Sequence, residues 1–105
     1  MTNYVLLYTG GTMPETEEMQ AEVMAAWGAW YGKMGEAVVD GGAPFSMAKH
    51  VNTDGTVGDG SASDPAVTGY TVISADSLDE AVAHCTDHPH LSYGGQVTVH
   101  ETMQM

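Results

Sequence analysis

The side chains able to move a proton near neutral pH are few, and they fall in two places. Asp40 follows the apolar run Ala37-Val38-Val39 and precedes Gly41-Gly42. A carboxylate there stands at a strand end, where glycines let the backbone approach a ligand closely. His84, His88 and His90 gather ahead of the last strand-like segment. Histidine is the common side chain whose ordinary pKa suits acid–base work at neutral pH. The pairing these residue types favour is Asp40 as base with His88 or His90 as acid partner. The competing explanations are a turn aspartate bonded to its own loop and histidines attracted to the negative end of a helix.

His84 and His88 are four residues apart, so they share a face if their helix extends that far. Two such imidazoles are a zinc-binding spacing, but Cys85 would point about 100° away from His84 on a helix. We expect no metal. Gly10-Gly11 lacks the further glycines and the lysine of a phosphate loop, and no Gly-x-Ser-x-Gly elbow occurs. No cofactor is expected either. Trp27, Trp30 and Tyr70 are the aromatics placed to wall an apolar cleft around a small ligand, with core packing as the commoner fate of such a stripe.

Seven segments must position these groups. Tyr4-Val5-Leu6-Leu7-Tyr8 reads as a strand, with Tyr4, Leu6 and Tyr8 on one face and Val5 and Leu7 on the other. Met19, Val23, Trp27, Trp30 and Met34 recur at helical spacing, with Thr12 or Thr16 as cap and Gly35 as stop. Ala37-Val38-Val39 predicts a short strand ending in the Asp40–Pro44 bend. Residues 47–57 predict a hairpin turning at Asp54-Gly55, and 58–65 a surface loop. Val67–Ala75 predicts a strand, and Ser77-x-x-Glu80 a capping box opening a second helix that Pro89 closes. Gln96–Thr102 predicts the last strand.

Strand, helix, strand, hairpin insertion, strand, helix, strand is a ferredoxin-like βαββαβ order, an α+β fold with an antiparallel sheet. Two helices cover one face of such a sheet. Tyr4, Leu6, Tyr8 and Tyr70 imply apolar bulk on the second face too, so a second copy is the simplest cover and a dimeric α+β barrel the expected assembly.

At 105 residues the chain is expected to form one domain over 1–105. Its 14 acidic against 2 basic residues give a formal charge of −12, which repels phosphate backbones and anionic lipid surfaces. Nucleic acid and membrane are therefore not expected partners. One cysteine, Cys85, forms no intrachain disulfide, and no apolar stretch reaches the length of a membrane span. A cytoplasmic location is the default expectation.

Several strings taken in order resemble the YCII-related (YciI-like) family. They are Tyr4–Tyr8, Ala26–Trp30, Asp40–Pro44, Thr68–Ile73, Ala75–Ala81, His88–Leu91 and Gly94–Val99, and together they span most of the chain. The resemblance implies a ferredoxin-like dimer with a cleft, akin to muconolactone isomerases and small cofactor-free monooxygenases, and a His and Asp pair in that cleft. Two departures stand out: the first helix carries no histidine, and an Asp-Gly-Pro-Phe string is replaced by Asp59-Gly60-Ser61-Ala62. The reading that follows is binding of a small organic molecule with cofactor-free proton transfer or isomerisation. Its alternative is a non-catalytic ligand-binding or assembly module.

Overall fold

In the computed structural model, residues 2–12 and 14–103 are described. The elements run β1 (Thr2–Gly10), α1 (Glu17–Met34), β2 (Val38–Pro44), β3 (Lys49–Val51), β4 (Val57–Asp59), β5 (Val67–Ala75), α2 (Leu78–Cys85) and β6 (Gly95–Glu101). Four strands form an antiparallel sheet in the order β2-β5-β1-β6, and β3-β4 is a separate hairpin. This is the ferredoxin-like α+β fold with its hairpin insertion, as the element order predicts. No helix among the described residues is long and apolar enough to cross a membrane.

Alternation along β1 decides where the core lies. Tyr4, Leu6 and Tyr8 are buried with Ile73 and Ala75 of β5, and Trp30 and Met34 of α1 and Ala81 and Cys85 of α2 pack on them. Both helices therefore lie on that face. Burying Leu6 or Ile73 completely is worth about 1.5–3 kcal/mol each. The opposite face carries Val5, Leu7, Tyr70 and Val72, all partly exposed. Of the residues expected to make that second face apolar, only Tyr70 is there, because strand alternation sends Tyr4, Leu6 and Tyr8 to the helices.

Local signals account for most of the boundaries. Thr16 caps α1, its hydroxyl accepting the Met19 N–H at 3.1 Å, and Gly35 ends it at a positive φ. Ser77 accepts the Glu80 N–H at 3.1 Å to open α2. The first helix overshoots its core, since Met19 is 38% exposed and only Trp30 and Met34 are fully covered. Three expectations are corrected. β2 runs through the Asp40–Pro44 bend instead of stopping before it, with register breaks on either side of Asp40. The hairpin arms are 49–51 and 57–59, joined by a loop in which Gly55, at φ +88°, closes a turn begun at Asn52. Pro89 does not close α2, which already ends at Cys85; it opens a short 3₁₀ helix, Pro89–Tyr93, where its missing N–H costs nothing.

Candidate functional site

The 3₁₀ turn places His88 at its N-cap, beneath α1 and only 1% exposed. Its ring lies 4.6 Å from Trp27, 4.4 Å from Trp30 and 5.0 Å from Tyr8, centroid to centroid. Both ring nitrogens are engaged. Nδ1 accepts the His90 backbone N–H at 3.1 Å, and Nε2 lies 3.0 Å from the Tyr8 hydroxyl. An accepting Nδ1 leaves the neutral ring's proton on Nε2, so we assign Nε2–H as donor to Tyr8. Burial, reinforced by His90, pushes the His88 pKa down to about 4 despite Asp87 nearby. His88 is therefore neutral at physiological pH.

The remaining hydrogen bonds follow in one direction. Burial raises the Tyr8 pKa, so its hydroxyl keeps its proton and donates it to Thr71 Oγ1 at 2.7 Å. The Thr71 hydroxyl in turn donates to the Gly41 carbonyl at 3.2 Å, which also accepts the Tyr31 hydroxyl at 3.0 Å. A chain His88–Tyr8–Thr71–Gly41 thus crosses from the α2 end of the core to the edge strand β2. Its buried members are all satisfied: no buried side-chain nitrogen or oxygen among the described residues lacks a partner.

Asp40 stands at the far end of this chain, one residue before Gly41, but its side chain takes the other face of the sheet. Its Oδ1 accepts the Gly42 N–H at 2.8 Å and its Oδ2 the Tyr70 hydroxyl at 3.3 Å. Tyr70 and Thr71 are neighbours on β5 and so point to opposite faces. Phe45 flanks the Tyr70 ring at 5.9 Å. The direct pairing of Asp40 with His88 or His90 expected from the sequence does not form, because the sheet lies between them. What joins the two groups is the bulge at Gly41-Gly42. Gly42 sits at φ +73°, and a Cβ there would overlap the Tyr70 carbonyl.

His90 is held apart from Asp40 as well. Its Nε2 lies 2.9 Å from the Thr9 carbonyl, and its ring fills a slot floored by Gly11 and Gly95, where a side chain on Gly95 would strike it. His84 does not share a face with His88. Its Nε2 is 3.5 Å from Glu80 Oε1, while its carbonyl accepts the Trp30 indole N–H at 3.1 Å. No group of three or more potential metal ligands converges among the described residues. Trp27 and Trp30 join His88 and Tyr70 joins Asp40, so the aromatic set divides between the two faces. Tyr8 and Thr71 are the members of this hydrogen-bonded chain that sequence reasoning missed. Tyr8 was read as strand bulk, and a buried hydroxyl beside Gly41 has no linear signature.

No protein-family model and no curated protein matches the chain by sequence. Among solved structures, the chain is similar to 5-chloro-2-hydroxyhydroquinone dehydrochlorinase (TftG) from Burkholderia phenoliruptrix AC1100, in complex with 2,5-dihydroxybenzoquinone. The likeness has a TM-score of 0.55 at 16% identity and covers 97% of this chain and 95% of that one. It extends over the whole ferredoxin-like unit and bears on the fold.

Proposed function

We propose that this chain is a YCII-like protein that binds a small organic molecule on the open sheet face beside Asp40 and Tyr70, and transfers a proton on it without a cofactor. The observation that carries this reading is the bulge, which presents the Asp40 carboxylate and the Tyr70 hydroxyl together, 3.3 Å apart, on an apolar sheet face. Asp40 Oδ2 is the base. It takes a proton from an acidic O–H or C–H of the ligand, and the Tyr70 hydroxyl bonds to the oxygen on which negative charge develops. Val72, Leu7 and Phe45 supply apolar contact for a flat ring. His88 and His90 act by positioning: the neutral His88 chain fixes the Gly41 carbonyl, and with it the bend that aims Asp40. Trp27 and Trp30 keep that chain dry.

The open face needs a cover, and a second copy of the chain supplies it in this reading, giving a cytoplasmic homodimer of the α+β barrel kind. The fold neighbour supports the ligand class only by analogy of fold. It does supply a probe, since 2,5-dihydroxybenzoquinone is small, flat and oxygenated. A thermal-shift titration with that compound is the test. Binding at a hundredfold excess over Kd stabilises by about 2.7 kcal/mol, a rise of several degrees in Tm for a domain of this size. Asp40→Asn should abolish the rise and leave the unliganded Tm within a degree or two. A rise equal in both proteins would move the site away from Asp40. A second reading, a non-catalytic binding or assembly module, is favoured by the filled interior around His88; it expects no Asp40-dependent exchange of a ligand C–H for solvent deuterium.

A further inference from the structure

Four of the five histidines have a protein partner for their ring. His50 reaches the Gly60 carbonyl at 3.1 Å, His84 lies 3.5 Å from Glu80, and His88 and His90 are held by Tyr8 and the Thr9 carbonyl. His100 differs. Its side chain is exposed, and its imidazole makes no hydrogen bond or ion pair among the described residues.

Strand register fixes where that ring stands. His100 on β6 is opposite Val5 on β1, Val5 is opposite Val72 on β5, and Val72 is opposite Asp40 on β2. Directly opposed residues share a face of the sheet, so these four form one row across its open side. The strand order β2-β5-β1-β6 puts Asp40 at one end of the row and His100 at the other. Three strand spacings separate them, about 14 Å from Cα to Cα. Val72 and Val5, both partly exposed, floor the interval, and Tyr70 and Leu7 border it in the next row.

We propose that His100 is the far-end contact for the ligand of this face, with the Asp40–Tyr70 pair of the proposed function, on which this rests, as the near end. It selects flat molecules one ring long that carry a hydrogen-bonding group at each end. Length decides the class. A six-membered ring with polar groups at opposite positions, plus a hydrogen bond of about 2.8 Å at each end, spans about 11–12 Å. Side chains standing roughly perpendicular to the sheet keep carboxylate and imidazole near the Cα separation, and a modest rotation of each toward the other closes the difference. The apolar floor then meets the ring and the polar ends meet the two polar side chains. A two-ring molecule overruns the row. Charge narrows the class further. With a formal charge of −12 on the chain and no Lys or Arg in these rows, the far group is an uncharged hydroxyl or carbonyl rather than a carboxylate.

A pair of probes that differ only at the far end tests this: 4-hydroxybenzyl alcohol, with a hydroxyl there, and 4-methylphenol, without one. Dissociation constants come from two-dimensional NMR titrations of the full chain, which also show which residues each compound touches. His100→Ala should weaken the alcohol by about three- to tenfold, the worth of one hydrogen bond, and leave 4-methylphenol unchanged. His100→Gln, which returns a side-chain N–H to about the same place, should recover most of the lost affinity. Because the His100 ring is exposed and bonded to nothing in the protein, neither change disturbs the fold. Asp40→Asn should weaken both compounds. Equal effects of His100→Ala on the two compounds, or none on either, would overturn the far-end contact while Asp40 dependence upheld the near end. Binding indifferent to Asp40→Asn, or no response of open-face residues to either compound, would remove the near end and the far-end contact with it.

Discussion

His88 makes the stability of this protein depend on pH in a way that a single substitution isolates. The unfolded chain takes up a proton on this ring near the ordinary 6.5, whereas the folded protein resists protonation until about pH 4. Between those values, unfolding binds a proton that the native state refuses. The stabilisation is therefore complete above pH 6.5, declines as acid is added, and is gone below about pH 4. One pKa unit corresponds to about 1.4 kcal/mol, so the fall from 6.5 to about 4 makes about 3 kcal/mol contingent on a neutral ring. The packing is consistent with that size. A charged ring would sit among Tyr8, Trp27 and Trp30, and a proton on Nδ1 would oppose the His90 N–H that it now accepts. Urea unfolding followed by tryptophan fluorescence at pH 7.5, 5.5 and 4.0 measures the effect. The many carboxylates also titrate in acid, but they are common to wild type and His88→Gln. The wild type should lose about 3 kcal/mol more than His88→Gln between pH 7.5 and 4.0. Parallel losses in the two proteins would refute the reasoning.

Two further substitutions probe the chain and the bulge. Tyr8→Phe removes the hydroxyl that bridges His88 and Thr71. Because it leaves two buried polar groups without that partner, it should cost about 1–3 kcal/mol in a denaturant titration at pH 7.5. Gly42→Ala requires a Cβ at φ +73° where the Tyr70 carbonyl already lies. The expected loss is at least about 1–3 kcal/mol, with weaker binding of any Asp40 ligand by calorimetry, since the bend that holds the carboxylate must open.

The parts of the fold that were legible in the sequence are those governed by short-range rules. The alternation in Tyr4–Tyr8, the Thr16 and Ser77 caps and the Gly35 stop each became the element they predict. The misreadings share one cause, which is that tertiary pairing overrode a local punctuation mark. Gly41-Gly42 looks like the end of a strand but is a bulge that β5 carries through. Pro89 looks like a helix stop, but α2 had already ended and the proline starts a new turn. For the site, Asp40 and His88 stand out by residue type alone. Their placement on opposite faces is fixed by the register of β5 against β1 and β2, which no single segment encodes. The hydroxyls of Tyr8 and Thr71 were hidden for the same reason, lying on strands far apart in sequence and adjacent only after the sheet forms.

The bulge in β2 ties these observations to one another. A regular strand at this edge would pair Asp40 and its neighbours evenly with β5, leaving the Gly41 carbonyl within the ladder. Displaced by the extra residues, that carbonyl instead accepts from Thr71 and Tyr31 on the helix side, while the next N–H, that of Gly42, holds Asp40 on the open side. Two adjacent peptide groups thus carry the end of a buried hydrogen-bond chain and the start of an exposed carboxylate site. The same distortion spoils this edge for strand pairing, which leaves β6 as the regular edge of the sheet. One glycine pair therefore determines both where the acidic group is presented and which edge of the sheet is irregular.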